Sequence, residues 1–133
     1  MRRADPEHHA QCAVVEVLRA SGIMHAASLN GVRLRPRQAG KASAAGMSAG
    51  EPDLYIHDAP PNYPECHAMA IEMKSARRKR KTSRGMKWGS ADPHQRERLQ
   101  MLEDRGWWCV VACGADEAID YLRAAGYALL EDS

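Results

Sequence analysis

The run HAMAIEMK, from His67 to Lys74, constrains this chain more than any other stretch. Its apolar residues do not alternate with polar ones, so a strand built from it must be covered on both faces. Trp107 to Ala112 is a second continuous apolar run rich in β-forming residues and makes the same demand. Helical patterns surround both runs. The order helix, strands, helix, strand, helix predicts an α/β fold in which helices cover a mixed central sheet.

The local signals place the elements. Asp5 is positioned to cap a helix reaching about Ala20, with Pro6 in its first turn and Cys12, Val15, Leu18 and Arg19 at helical spacing. Gly22 ends it. Ile23 to Ser28 is β-prone, and Asn30-Gly31 is a hairpin-type turn signal before Val32 to Arg35. Pro36 to Glu51, rich in Gly, Ala and Ser and without periodicity, reads as a loop. Leu54 to His57 is a short strand broken by the proline-rich Ala59 to Pro64. Asp92, Pro93, Gln95, Leu99 and Leu102 predict a helix ending at Gly106, and Asp116 to Ala125 a last helix with Ile119 and Leu122 inward, stopped by Gly126. No repeat or linker divides the chain, so residues 1–133 are expected to form a single compact domain with one site.

Composition narrows the setting. An apolar share of 44% with 27% charged residues is ordinary for a globular protein. Nothing approaches the ~20 consecutive apolar residues of a membrane span. Met1 to Gln11 is polar and lacks the apolar core of a secretory signal, so an intracellular, cytoplasmic location without membrane attachment is expected. Four cysteines are then expected to stay reduced. The net charge of +2 hides an uneven distribution. Arg77, Arg78, Lys79, Arg80, Lys81, Arg84 and Lys87 crowd a basic loop at about 75–91, Arg33, Arg35, Arg37 and Lys41 form a second cluster, and the tail at about 128–133 carries Glu131 and Asp132.

Acids and bases are therefore sorted. On a strand, residues two apart share a face, so Glu72 and Lys74 project together while Met73 points away. If a strand starting at Asp53 pairs with this one, two carboxylates meet and suit a hard divalent ion such as Mg²⁺, with the Met73 main-chain carbonyl as a third ligand. Such an ion activates a phosphodiester for in-line attack, and Lys74 beside it would orient or deprotonate the attacking water and neutralise the charge gathering on phosphorus. The basic loop would hold nucleic acid phosphates, and Trp88 within it either stacks on a base or anchors the loop on the core.

Simpler readings compete. Asp53 alone is a turn carboxylate, and Glu72 with Lys74 an exposed edge-strand ion pair worth under ~1 kcal/mol. An unpaired carboxylate in a run buried on both faces is costly, however, which favours a cation or partner for Glu72. Adjacent His8 and His9 point about 100° apart on a helix and are surface residues rather than joint ligands. Cys109 and Cys113, with Cys66, His67 or His94, lack a compact pair for zinc and read as buried thiols. Of Trp107 and Trp108, which alternate faces, one is expected in the core and the other partly exposed or at an interface.

Pro52-Asp53 followed by Glu72-Met73-Lys74 resembles the Pro-Asp...(Asp/Glu)-x-Lys signature of restriction-endonuclease-like nucleases. Nearly the whole chain, in order, is similar to the narrower virus-type replication-repair nuclease (VRR-NUC) domain. The similarity is carried by Glu7 and Gln11 one helical turn apart, Asn30 after the first short strand, the Gly-rich approach from Gly46 to Leu54, Gln95 opening the helix after Glu-x-Lys, and the Gly106 to Glu117 element. The resemblance implies a restriction-endonuclease-like mixed sheet flanked by helices, with Glu7 joining Asp53 and Glu72 at the metal and Gln95 positioning water or phosphate.

The implied activity is an Mg²⁺- or Mn²⁺-dependent DNA endonuclease selective for branched DNA, in the manner of a Holliday-junction resolvase, with DNA repair and a phage or bacterial setting as its associations. Two symmetric incisions from one centre per chain imply a homodimer. The segment between Lys74 and Gln95 is longer and more basic than the family's usual connection, and His94 follows Asp92-Pro93. The alternatives are a nucleic-acid-binding module without cleavage, and a nuclease for flaps or for duplex, including sequence-specific duplex.

Overall fold

Every residue of β3 (Ala68–Lys74) is buried, Glu72 and Lys74 included, as the absence of alternation requires. In the computed structural model, residues 5–28, 35–46, 48–77 and 86–130 are described. The other expected features, Asn30-Gly31 and the strand from Val32, Arg33, the bases Arg78, Lys79, Arg80, Lys81 and Arg84, and the acidic tail residues Glu131 and Asp132, lie outside them.

β3 is interior to a mixed sheet of order β1-β2-β3-β4, formed with β1 (His25–Ala27), β2 (Leu54–Ile56) and β4 (Trp107–Cys113). β1 and β2 run antiparallel, as do β2 and β3, with Leu54 opposite Ile71. β3 and β4 run parallel, with Glu72 opposite Val111 and Lys74 opposite Cys113. A parallel pair needs a long crossover, and residues 75–106 supply one that contains α3 (Pro93–Glu103). Glu72 and Lys74 are thus central rather than an edge-strand pair, which corrects the simpler reading of them.

The two sheet faces have different cores. Leu54, Ile56, Met69, Ile71, Met73, Val110 and Ala112 point to one side and pack with Val14 and Leu18 of α1 (Pro6–Ala20) and Ala118 and Leu122 of α4 (Ala115–Ala125). Each such Leu or Ile, fully buried, contributes about 1.5–3 kcal/mol. On the other side Ala70, Cys109 and Val111 meet Leu99 of α3 and Ala91, with Tyr55, Trp88 and Trp107 at the margin. This second core is thinner and opens onto Glu72 and Lys74.

Most helix boundaries follow their caps. The Asp5 carboxylate accepts from the main-chain N–H groups of Glu7 and His8, and Gly126 closes α4 in the left-handed region at φ 94°. The inward stripe of α1 is Val14 and Leu18, whereas Cys12 and Arg19 are exposed and Val15 only half-buried. Ile119 of α4 is likewise half-buried, Ala118 and Leu122 taking the inward positions.

The expected loop from Pro36 is instead helical. α2 (Pro36–Ala44) starts on a proline in its first turn, and Gln38 Oε1 accepts from the Arg35 main-chain N–H at 3.1 Å. No residue of α2 is buried, so the helix has no apolar face from which periodicity could announce it. Both tryptophans of β4 are half-buried: Trp107 edges onto Tyr55 and His67, and Trp108 stacks on Tyr63 at 4.5 Å. One ring was expected in the core and the other partly exposed or at an interface; both are partly exposed, each packed at the margin of one of the two cores.

Candidate active site

The register that sets Leu54 opposite Ile71 carries the preceding residue, Asp53, to the level of Glu72. Asp53 is held there by its backbone and its side chain. Its carbonyl accepts from the Ser28 N–H at 2.9 Å, and Oδ2 accepts from the Met73 N–H at 2.7 Å. Fully buried Pro52 fixes the chain just before it. The carboxylate is thereby clamped to the end of β3.

Glu72 is the most constrained group of the site. Its side chain is only 4% exposed, and Lys74 Nζ lies 3.5 Å from Oε2. Gln95 Nε2 donates to the same oxygen at 3.2 Å. Among the described residues, Oε1 of Glu72 meets no donor. Burial, and secondly the charge of Asp53, push the Glu72 carboxyl up to about 8, against the smaller opposing pull of Lys74. Asp53 is also raised, by burial, with the Met73 N–H, Glu72 and Lys74 acting against the rise. Two buried carboxyls side by side share a proton unless a cation replaces it.

Gln95 enters through the start of α3. Its Oε1 accepts from the Asp92 main-chain N–H at 2.9 Å, which leaves the amide Nε2 for Glu72. One side chain thus caps the start of the helix and orients the carboxylate. Gly50 seats the approach to Asp53 against the same turn: at φ 81° it lies so near that a Cβ would fall 2.9 Å from the His94 carbonyl oxygen. Sequence patterning gives no sign of this contact, which links residues far apart in the chain.

The remaining candidates are placed differently. Glu7 is exposed on the first turn of α1, and among the described residues no group of three His, Cys, Asp or Glu side chains is arranged to hold a metal ion. The candidate metal donors that the strands bring together are Asp53 and Glu72, with the Met73 main chain alongside. Arg77 is exposed beyond the end of β3. Lys87 is engaged within the protein, 2.6 Å from Glu103 Oε1 and 4.5 Å above the Trp88 ring. Trp88, at φ 59°, donates its indole N–H to the Cys109 carbonyl at 3.0 Å and packs on the thinner core. It anchors the segment and stays half-buried.

Sequence reading missed two neighbours on this face. Tyr55, two residues after Asp53, donates to Glu51 Oε1 at 2.8 Å, and the period-two rule would have put it there. Ser90 is buried and receives the Cys113 thiol at 3.4 Å, beside Lys74 in the β3–β4 register; no local pattern foretold it.

No protein-family model matches the chain, and no curated protein matches it. A solved structure does. One VRR_NUC domain protein is similar at a TM-score of 0.61 and 25% identity, over 94% of this chain and 91% of that one. The likeness supports a VRR-NUC fold for the mixed sheet and its covering helices. Among the described residues no helix is long and apolar enough to cross a membrane.

Proposed function

We propose that this chain is a nuclease domain of the VRR-NUC kind, a divalent-metal-dependent DNA endonuclease selective for branched DNA and acting as a homodimer. One observation carries the reading. Asp53 and Glu72 stand at the same level of two paired strands, Glu72 nearly sealed from water with one oxygen lacking a donor among the described residues and with Lys74 3.5 Å from the other. Without a cation the two buried carboxyls must share a proton, and a divalent cation would take that proton's place between them. The similarity to a VRR_NUC domain protein points the same way.

The residues fit a hard divalent ion. Asp53 and Glu72 would hold it, with the Met73 main-chain carbonyl and Glu7 as further donors, and Mg²⁺ or Mn²⁺ there would supply Lewis-acid activation of the scissile phosphate. Lys74 supplies the fixed positive charge. Its ammonium, anchored by Glu72, neutralises the extra charge that phosphate oxygens acquire as the nucleophile adds. Gln95 holds Glu72 in one rotamer, so the carboxylate need not reorganise during the reaction. Arg77 and the bases that follow it, Arg78 to Lys81 and Arg84, contact backbone phosphates outside the centre. Residues 1–133 act as one catalytic unit, and the two cuts of a junction come from two such units.

The deciding experiment is cleavage of a labelled four-way junction beside matched duplex, flap and single-stranded DNA, with Mg²⁺, Mn²⁺ or chelator. Paired symmetric cuts in the junction are expected, lost in chelator and in Asp53→Ala, Glu72→Ala and Lys74→Ala while DNA binding survives. Sedimentation should give twice the 14.7 kDa chain mass. Normal cutting by the carboxylate variants would remove the site assignment. Binding without cutting in either metal would favour the non-catalytic module.

A further inference from the structure

The chain between β1 and β2 is a second basic element, and it leaves the sheet at the candidate active site. Because β1 pairs antiparallel with β2, with Ala27 opposite Leu54, the end of β1, the start of β2 and the end of β3 lie at one end of the sheet. The chain departs for α2 next to Ser28, whose N–H bonds the Asp53 carbonyl at 2.9 Å. It returns through Gly50, seated on the His94 carbonyl. Ser28 and Gly50, on either side of the excursion that contains α2, are therefore both held at the end of the sheet that carries Asp53. In strand order β2, led into by Asp53, lies between β1, from which this excursion departs, and β3, which exits toward Arg77.

The chemistry of the excursion is one-sided. From Leu29 to Gly50 the sequence contains Arg33, Arg35, Arg37 and Lys41 and no acid. Arg35, Arg37 and Lys41 are exposed, and Arg37 and Lys41, four residues apart, fall on one stripe of α2 about 5–6 Å apart. No residue of the helix is fully buried and only Ala42 is half-buried, so it gains little stability from packing on its own domain. It also lacks the aromatic and large apolar side chains that make the core of a protein interface. Phosphate contacts need no apolar anchor and draw on cations, small polar groups and main chain, all of which α2 offers.

We propose that α2 is a docking element for the phosphate backbone of double-stranded nucleic acid, gripping it through Arg35, Arg37 and Lys41. The duplex then lies across the Asp53–Glu72 corner, held on the β1 side by α2 and on the β3 side by Arg77. This rests on the nuclease reading of that corner and adds to it the element that sets the path of the substrate.

The test is fluorescence anisotropy of labelled duplex and junction DNA in chelator across a salt series. Wild type is compared with Arg37→Gln/Lys41→Gln, with the charge-conserving Arg37→Lys/Lys41→Arg, and with Arg123→Gln on α4 as a distant charge control. With no buried residue in α2, circular dichroism should be unchanged by the pairs. Neutralising both bases should make the negative slope of log affinity against log salt shallower by about 2, roughly one for each phosphate left without its cation, while the other two proteins keep the wild-type slope. A steep wild-type slope that the double neutralisation leaves unchanged overturns the docking role and leaves the nuclease reading standing. No salt-dependent binding by wild type overturns both. Polyglutamate binding that disappears in the double variant, with the DNA slope intact, overturns the proposal in favour of an acidic protein partner.

Discussion

Glu72 sits between Asp53 and Lys74 with 3% of its surface exposed, and the folded chain holds its proton to about pH 8. The unfolded chain releases that proton near 4.5. Between these limits the folded state binds the extra proton, so stability falls as pH rises, by up to about 1.4 kcal/mol per unit, and levels off above the folded value. The melting temperature of chelated protein should therefore decline from pH 5 to 8. Glu72→Gln should flatten that decline and raise stability at pH 8 while abolishing cleavage. A wild-type profile already flat over this range would mean that Glu72 ionises without cost. Lys74, Asp53 and Glu72 were legible as a set because alternation on one strand and a Pro-Asp before another are local patterns. The burial of Glu72 was legible too, since the flanking apolar run left no solvent face.

At the level of elements, the site depends on how α3 meets the segment before β2. Gly50 and His94 make that contact, and Gln95 at the next position transmits it to Glu72. Gly50→Ala places a methyl group 2.9 Å from the His94 carbonyl oxygen in a left-handed conformation, and should destabilise the protein by about 1–3 kcal/mol. It should also lower turnover more than substrate affinity, because displacing the first turn of α3 moves Gln95 away from Glu72. Denaturant unfolding with single-turnover cleavage separates the two effects, and a variant with full turnover would show that the contact does not position Gln95. Trp88 was open to two roles in the sequence; its hydrogen bond to Cys109 fastens the segment to the sheet and leaves the ring half-buried. α2 escaped sequence reading because periodicity reports burial, and a helix with no fully buried residue has none to report.

For the whole molecule, the carboxylate pair couples ion binding to folding. An ion bound only by the folded chain at tenfold its dissociation constant adds about 1.4 kcal/mol. Mg²⁺ or Mn²⁺ should therefore raise the melting temperature at pH 8 by a few degrees, and Asp53→Asn should abolish the rise. Equal melting with and without either ion would remove the pair as a metal centre. Several features of this protein follow from sequence alone: strands that demand cover on both faces, helices bounded by Asp5, Pro93 and Gly126, and acids and bases sorted along the chain. Each rests on interactions within a few residues, where propensity and periodicity act. Other features were decided by tertiary structure. The pairing that brings Asp53 level with Glu72, the reach of Gln95 to Glu72, the bond of Trp88 to the Cys109 carbonyl, and the bond of Ser28 to the Asp53 carbonyl all join distant segments. Strand register and packing set those distances, and neither is encoded in any short stretch of sequence.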